Sequence, residues 1–404
     1  MDKYFKQLLV SFDPSLKTTR KAVILLITIS FLVGVFIFLF QRLVSPFKRI
    51  RISRINSLRI GHMLLEIDWY LSEPQIKSTD LFFFSTPKPV NVFLSNFAKE
   101  RMVFLSKNLI FGAYILNRMV VGGQKYIVEL PTESYDFLLF DRTPSPFIYE
   151  QDFETKGEEL LRSLGISLPA PIVCFYVRDG GYATKEFSNY DQDLYSYRDS
   201  NVYDFVPAME YLTMHGYTVI RMGRGSDAQI NSSNPRIIDY CSSNFKSDFA
   251  DFYLISKAKF AICTDSGTTH FPLFFRKPIA HANIAGLHGL LHTKLLKFVT
   301  FKRYFDTNKN RDLILSEILN SDLPNFKDGY KFTNRGIKFL DSTPDEIVGL
   351  AKDMIDDQLR INRSDNIVVD KPTKFQTLVT SYRGIDFWAQ LSHVWENNNS
   401  NFLD

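Results

Sequence analysis

The sequence predicts an α/β protein built on a parallel, doubly wound sheet, and two observations carry this prediction. Short apolar runs typical of buried strands recur in the second half of the chain, among them 172–177, 217–222 and 260–263, and the last predicted strand is 278–283. Between them lie segments with helical spacing of apolar residues, such as 204–215. Strands that alternate with helices pair in parallel, because each helix returns the chain to the end of the sheet at which the previous strand began.

The composition is that of a globular chain with room for two domains. Of its 404 residues, 45% are hydrophobic and 23% are charged. The net charge is only +4, and the basic residues form no stripe, which argues against a nucleic-acid-binding protein. Cys174, Cys241 and Cys263 form no CxxC pair, so we expect buried thiols in a reducing compartment.

The predicted divisions follow changes in composition and a proline-rich joint at 168–171. In chain order they are an N-terminal tail (1–21), a transmembrane anchor (22–40), a basic juxtamembrane segment (41–54), an N-terminal α/β domain (55–168), a C-terminal α/β domain (169–330) and a helical tail that packs back on the body (331–404). Thr343 and Glu346, with Pro344 between them, form a capping box that begins a helix in that tail.

The anchor is predicted because residues 22–40 carry no charged side chain over 19 positions. A spanning helix needs about 20 apolar residues. A buried core helix is the alternative. Residues 1–21 hold five Lys or Arg and residues 41–60 hold six, which slightly favours a cytoplasmic C-terminal body. The basic stretch 48–59 is also suited to anionic lipid headgroups.

One turn carries the strongest chemical signal. Residues 264–269, TDSGTT, follow the predicted strand 260–263, and they begin a helix with His270 in its first turn. Backbone N–H groups at such a turn suit a phosphate. The hydroxyls are equally suited to capping the helix, so the turn alone leaves both functions open.

The stretches 174–182, 197–212, 216–223 and 237–279 resemble a poorly characterised bacterial family of surface-polysaccharide glycosyltransferases of the GT-B type. Within the last of these stretches, the similarity covers 237–240 and 247–279, and shorter matches are 59–68 and 339–347. A more distant similarity is to heptosyltransferases, which have an acidic-Ser/Thr-Gly-x-x-His turn like residues 265–270 at their nucleotide-sugar site. The resemblance implies two Rossmann-like domains that face each other across a cleft, the second of which binds the donor.

The resemblance and the strand ends together predict the donor site. An arginine such as Arg178 binds a diphosphate bidentately, although Arg178 has Asp179 beside it as a possible ion-pair partner. Arg221 is suited either to the donor or to a pair with Asp239. The predicted donor-binding residues are Arg178, Asp179, Arg221, Gly223, Thr264, Asp265, Ser266, Gly267, Thr268, His270 and Lys302.

A catalytic base is predicted in RIGHMLLEID, residues 59–68. In heptosyltransferases the corresponding turn faces the acceptor and supplies an aspartate, and here His62 takes that position. A histidine accepts a proton at neutral pH. Glu66, one helical turn later, is the second candidate, and an ordinary loop histidine is the alternative for His62.

Two other motifs are weaker. Residues 191–193, DQD, match the metal-binding DxD string, but the surrounding pattern is not GT-A and no metal site is predicted. Residues 223–228 fit GxGxxA after a strand, but no helical pattern follows, so the dinucleotide fingerprint lacks its context.

The predicted function is therefore transfer of a sugar from a nucleotide-sugar to a glycan or lipid-linked glycan acceptor in bacterial surface-polysaccharide biosynthesis. The enzyme would need no metal or cofactor, would use the nucleotide-sugar as co-substrate, and would invert the anomeric centre by analogy with heptosyltransferases. It would sit in the bacterial inner membrane through one span, with its body in the cytoplasm, and bind no nucleic acid. The alternatives are a non-catalytic scaffold of a polysaccharide assembly complex and another nucleotide-sugar enzyme such as an epimerase.

Overall fold

The computed structural model describes residues 20–73, 79–131, 137–167, 169–186, 191–226, 228–362 and 371–404. Residues 1–19 of the predicted N-terminal tail, and the side chains of residues 22–27 of the predicted anchor, lie outside this description. The chain divides into two compact units, 1–135 and 136–404.

The first unit contains a parallel sheet of three strands, β1 Arg51–Ile55, β2 Asp80–Phe84 and β3 Val103–Phe104. They pair in the order β1-β2-β3. Its helices are α1 Arg20–Val44, α2 Ile60–Ser72, α3 Val92–Arg101 and α4 Lys107–Met119. Ile52 and Phe83 from the sheet pack against Ile110, Phe111 and Ala113 of α4.

The predicted transmembrane anchor is not supported. Residues 22–40 lie within α1, and no helix among the described residues is long and apolar enough to cross a membrane. Instead α1 packs along α4, where a Cβ built on Gly34 would lie 2.5 Å from the Cα of Gly112. Ile37 and Phe38 of α1 join the core of the first unit.

The second unit confirms the predicted parallel sheet. Its strands are β4 Ile172–Tyr176, β5 Thr218–Arg221, β6 Ile237–Ile238, β7 Ala258–Cys263, β8 Ile279–Ile284, β9 Leu296–Phe301, β10 Arg303–Asp306, β11 Arg311–Asp312, β12 Ile337–Leu340 and β13 Gln390–Leu391. Seven of them pair in parallel in the order β13-β9-β8-β7-β4-β5-β6, and the other three form a small antiparallel sheet in the order β11-β10-β12. The sheet therefore continues past the last predicted strand, through β9 and β13.

The helices of the second unit cover both faces of this sheet. They are α5 Leu138–Arg142, α6 Gln151–Ser163, α7 Gly181–Glu186, α8 Gln192–Tyr195, α9 Val206–Met214, α10 Asp248–Lys257, α11 His270–Phe274, α12 Leu315–Leu319, α13 Gly329–Asn334, α14 Pro344–Asn362, α15 Lys374–Arg383 and α16 His393–Asn398. Side chains of α9 and α14 enter the same core cluster as Val173 and Ile262 of the sheet.

The boundary between the units precedes the proline-rich joint at 168–171, of which position 168 lies outside the described residues. The reason is α6, which precedes that joint but packs within the second unit. The ring of Phe153 lies 5.3 Å from that of Phe249 in α10, and Glu154 pairs with Lys257 at 2.6 Å.

The strand order fixes where a ligand would bind. From β4 the chain moves outward through β5 to β6 on one side, and from β7 through β8 to β9 on the other. The neighbours β4 and β7 therefore flank a topological switch point. In open parallel sheets, ligands bind outside the carboxyl ends of the strands at that point.

Candidate functional site

Thr264 joins the carboxyl ends of β4 and β7. Its N–H donates to the Tyr176 carbonyl at 2.9 Å, and its hydroxyl accepts from the Arg178 N–H at 2.8 Å. Thr264 is completely buried. The predicted donor-site threonine therefore uses its hydroxyl to hold the loop that carries Arg178.

Two predicted cations meet at Asp199, a residue that the sequence analysis did not single out. The Arg178 Nε donates to Asp199 Oδ1 at 2.6 Å, and the Lys302 Nζ donates to the Asp199 carbonyl. Lys302 also pairs with Asp341 at 2.9 Å, and its side chain is almost completely buried. Burial raises the pKa of the Asp199 carboxyl, although Arg178 and Lys302 act in the opposite direction. The carboxyl ends of β4 and β9 thus bring Arg178 and Lys302 to one cluster.

Gly180 permits the close approach of Asp199. It has a φ of +77°, which favours glycine, and a Cβ at this position would lie 2.6 Å from Asp199 Oδ2. The Arg178–Asp199 pair therefore depends on a residue without a side chain in the Asp179-Gly180-Gly181 turn.

Asp265 presents a buried oxygen at the end of β7. Its Oδ2 has no hydrogen-bond partner among the described residues, which is uncommon for a buried carboxylate. Burial lowers the pKa of nearby His281, while the Asp265 charge opposes this shift. Burial raises the pKa of Tyr197 to about 12, and Asp265 adds to that shift. Asp265 thus faces groups that stay uncharged at neutral pH, and its Oδ2 is a buried acceptor without a donor among the described residues.

The turn after Asp265 has the geometry of a cap. The Ser266 hydroxyl accepts from the Thr268 N–H at 3.1 Å and lies 2.5 Å from the Thr268 hydroxyl. Gly267–Thr269 form a 3₁₀ turn, and only the five residues of α11 follow. His270 Nδ1 lies 3.1 Å from the Gly267 carbonyl. The structure therefore contains the capping arrangement, and phosphate contacts by Ser266, Thr268 and His270 stay a prediction.

Arg221 lies inside the protein and not on its surface. Its guanidinium donates to the Ala228 carbonyl at 2.7 Å and to Asp239 at 3.3 Å, so the ion pair with Asp239 that the sequence left open is present. It also donates to Ser226, whose hydroxyl donates to Asp179. Arg221 and Asp179 are therefore engaged in holding the loop after β5. Gly223, with a φ of +124°, begins that loop.

Sequence reasoning missed Asp199 and did not assign His281 to this site. Asp199 lies in the stretch YRDSNV, 197–202, which carried the family resemblance without an assigned role. The resemblance of that stretch to the family was the one feature of the sequence that could have identified Asp199 as a candidate. His281 lies inside an apolar strand, where a histidine gives no sign of its neighbours until the strand order places it near Asp265.

The two predicted base residues lie on α2 in the first unit. His62 is half-buried in the first turn. Glu66 is almost completely buried and accepts from the Asn56 N–H, directly after β1, at 2.6 Å. Burial raises the pKa of Glu66 to about 7, although the Asn56 N–H and Arg54 act in the opposite direction. A carboxyl that titrates near neutrality matches what a general base requires.

We expect Glu66 to make the first unit less stable as the pH rises from about 5 to 8. The folded protein keeps a proton on Glu66 up to about pH 7, whereas the unfolded chain releases it near the usual pKa of 4.5. The unfolding free energy therefore falls over this interval, by up to about 3 kcal/mol. Glu66→Gln has no group that titrates here. In urea unfolding, the stability of the variant relative to the wild type should therefore be greater at pH 8 than at pH 5. An equal difference at pH 5 and pH 8 would contradict the assignment.

The first aspartate of the DxD string, Asp191, caps a helix and binds a tyrosine. Asp191 accepts from the Leu194 N–H at 3.2 Å as the cap of α8, and it also accepts from the Tyr330 hydroxyl at 3.1 Å. Within the described parts of the chain, no three His, Cys, Asp or Glu side chains are grouped so as to hold a metal ion. Independence from a metal stays a prediction.

No family model matches the chain, and no curated protein matches it. Similar solved structures include a glycosyl transferase family 9 protein from Veillonella parvula, with 10% identity over 57% of this chain and 80% of that one, and a TM-score of 0.37. The E. coli ADP-heptose LPS heptosyltransferase II shares 13% identity over 57% of this chain and 84% of its own, with a TM-score of 0.36. The heptosyltransferase TibC shares 11% identity over 70% of this chain and 74% of its own, with a TM-score of 0.29. These similarities are too remote to assign an activity. The fold is that of an α/β protein with charged side chains gathered at the carboxyl ends of its parallel strands.

Proposed function

We propose that the protein is a metal-independent glycosyltransferase of the GT-B type, which transfers a sugar from a nucleotide-sugar to a glycan or lipid-linked glycan acceptor. The observation that carries the proposal is the switch point between β4 and β7, because Arg178, Lys302 and Asp265 gather there at the carboxyl ends of the parallel strands. Nucleotides bind at this position in doubly wound folds.

The charged groups suit the two ends of a nucleotide-sugar. Arg178 and Lys302 are cations held in place by Asp199, and they would stabilise the diphosphate as it acquires negative charge. Asp265 offers a buried acceptor for a sugar hydroxyl, which a diphosphate could not use. This combination favours a sugar diphosphate over a simple phosphate.

The reaction would proceed by attack of an acceptor hydroxyl on the anomeric carbon. The new carbon–oxygen bond forms as the bond to the diphosphate breaks, and the nucleoside diphosphate leaves with the electron pair. A base takes the hydroxyl proton. The family resemblance assigns the acceptor side to the N-terminal domain, in which Glu66, with a pKa of about 7, is better suited than His62 to this role. Attack opposite the leaving group would invert the anomeric centre.

The proposed biological setting is bacterial surface-polysaccharide biosynthesis on the cytoplasmic side, where nucleotide-sugars are made. This part rests on the sequence resemblance alone.

A thermal-shift screen of the full chain against nucleoside diphosphates and nucleotide-sugars tests the donor site. A ligand that binds only the folded state adds about 2.7 kcal/mol at a concentration of 100 times its Kd. We expect at least one nucleotide-sugar to raise the melting temperature. A folded sample that responds to none of them would contradict the proposal.

A product assay then separates the three functions. Release of nucleoside diphosphate that depends on an added glycan or lipid-linked glycan supports the transferase. Conversion of the nucleotide-sugar to its epimer without an acceptor indicates an epimerase. Binding of a donor with no turnover in any acceptor extract indicates a non-catalytic scaffold.

A further inference from the structure

The helix α1 has its polarity reversed for a helix on a water-soluble surface. Among the described side chains of α1, the most deeply buried residues are small or polar, namely Ser30, Gly34 and Gln41, while Ile37 and Phe38 are half-buried against the core. On the outside, Phe36 is 71% exposed and Leu43 is 74% exposed. A helix on a protein surface that contacts water normally buries its large apolar side chains and exposes its polar ones.

The contact between α1 and α4 is of the kind that helices make inside lipid. Gly34 and Gly112 allow the two backbones to approach closely. The Asn117 amide donates to the Gln41 side chain at 2.8 Å, and Arg42 donates to Asn117 at 3.1 Å. Small residues and polar side chains hold helices together where the surroundings provide no hydrophobic driving force.

The exposed apolar surface continues past the ends of both helices. Phe47, three residues after α1, is 93% exposed. Met119 is 76% exposed and Val121 is completely exposed, close to the Asn117 that bonds to α1. We call this surface the apolar face. It consists of Ile29, Phe31, Leu32, Phe36, Leu39, Phe40, Leu43, Phe47, Leu109, Met119, Val120 and Val121.

The chain segments that carry the apolar face are rich in basic residues. Residues 28–60 and 103–128 contain no Asp and no Glu, although they contain nine Lys or Arg. Six of these are exposed, namely Lys48, Arg49, Arg54, Arg59, Arg118 and Lys125, and Arg118 pairs with Glu129 at 3.0 Å. Anionic headgroups attract such residues by about 1 kcal/mol each near a bilayer.

We propose that the apolar face docks on a lipid bilayer with anionic headgroups. Reversed helix polarity, polar contacts between the helices and an excess of basic residues each point to lipid as the occupant. A second copy of the chain would cover the same apolar side chains, but it would bring two sets of these basic residues together, which repel each other. The inference does not depend on the proposed glycosyl transfer.

Vesicle flotation of the full-length protein tests the proposal. We expect it to float with vesicles of phosphatidylglycerol and phosphatidylethanolamine, and to do so less with pure phosphatidylcholine or in high salt. The triple substitution Leu32→Ser, Phe36→Ser, Leu39→Ser should reduce the partition coefficient at least tenfold. The matched control Met214→Ser, Phe245→Ser, Leu359→Ser removes exposed apolar side chains from the second unit and should leave flotation unchanged.

Two further variants keep the test sharp if the triple variant does not fold. Lys48→Glu with Arg49→Glu should weaken flotation with anionic vesicles, whereas Lys338→Glu with Lys352→Glu should not. The three native cysteines are buried, so a cysteine placed by Phe36→Cys can be labelled selectively with an environment-sensitive dye. Its emission should shift to the blue on addition of anionic vesicles, and a label at Met214→Cys should not respond.

Two results would overturn the proposal. One is flotation that is equal for the wild type, the folded triple variant and the charge-reversed variant. The other is a wild-type dimer, in the absence of vesicles, that becomes a monomer in the triple variant, because a second copy would then be the occupant of the apolar face.

Discussion

Arg178→Ala is expected to lower kcat/KM for donor-dependent sugar transfer by about a hundredfold to a thousandfold. Removal of one group that stabilises developing negative charge typically costs about 3–4 kcal/mol of the barrier. Arg178 is held by Asp199 at 2.6 Å beside the switch point, so its charge is in place before the donor binds. The measurement is release of nucleoside diphosphate at several donor concentrations.

Two further variants define the cause of that loss. Arg178→Lys keeps the charge but removes the forked geometry, so it should recover only part of the activity. Arg335→Ala, at an exposed arginine that pairs with Asp322, should leave the rate unchanged. If Arg178→Ala turned over donor at the wild-type rate, Arg178 would have no part in the reaction.

Trp395→Ala is expected to destabilise the second unit by about 3–5 kcal/mol, the usual cost of emptying such a large buried site. Trp395 is completely buried, and its ring centroid lies 4.9 Å from that of Phe402. Its indole N–H donates to the Phe301 carbonyl at 3.1 Å. The measurement is chemical unfolding followed by circular dichroism, which does not depend on the lost tryptophan.

Trp395→Phe is the matched control. It keeps most of the buried ring and loses the hydrogen bond, so it should cost markedly less than the alanine variant. Since Phe301 directly precedes Lys302, we also expect Trp395→Ala to weaken donor binding. Equal stabilities for the alanine and phenylalanine variants would show that the ring does not support the sheet.

The parallel sheet was predictable because its central strands are continuous apolar runs. The run 260–263 is part of β7, and 172–177 corresponds to β4. The strand β13 was not predictable, because it consists of two residues, Gln390–Leu391, that pair with β9 from about 90 positions away. No local pattern carries such a pairing.

The placement of the candidate site residues was predictable where it depends on strand ends, and it stayed open where it depends on side-chain partners. Arg178 and Lys302 each follow a parallel strand, so the sheet brings them together. The partner of Arg221 depended on the path of the loop after β5, which directs the guanidinium to Asp239. The apolar run of α1 was similarly ambiguous, because hydrophobicity alone does not state whether a helix spans a bilayer or packs on another helix.

The position of β13 has a consequence for synthesis. Until residues 390–391 have left the ribosome, β9 is the edge strand of the growing sheet, and its sequence LKFVTF presents unpaired backbone groups among apolar side chains. Exposed edges of this kind recruit strands from other chains. Although it is only two residues long, β13 therefore covers part of β9, and a chain that stopped before residue 390 would leave this strand open to pairing with other chains beside the candidate site.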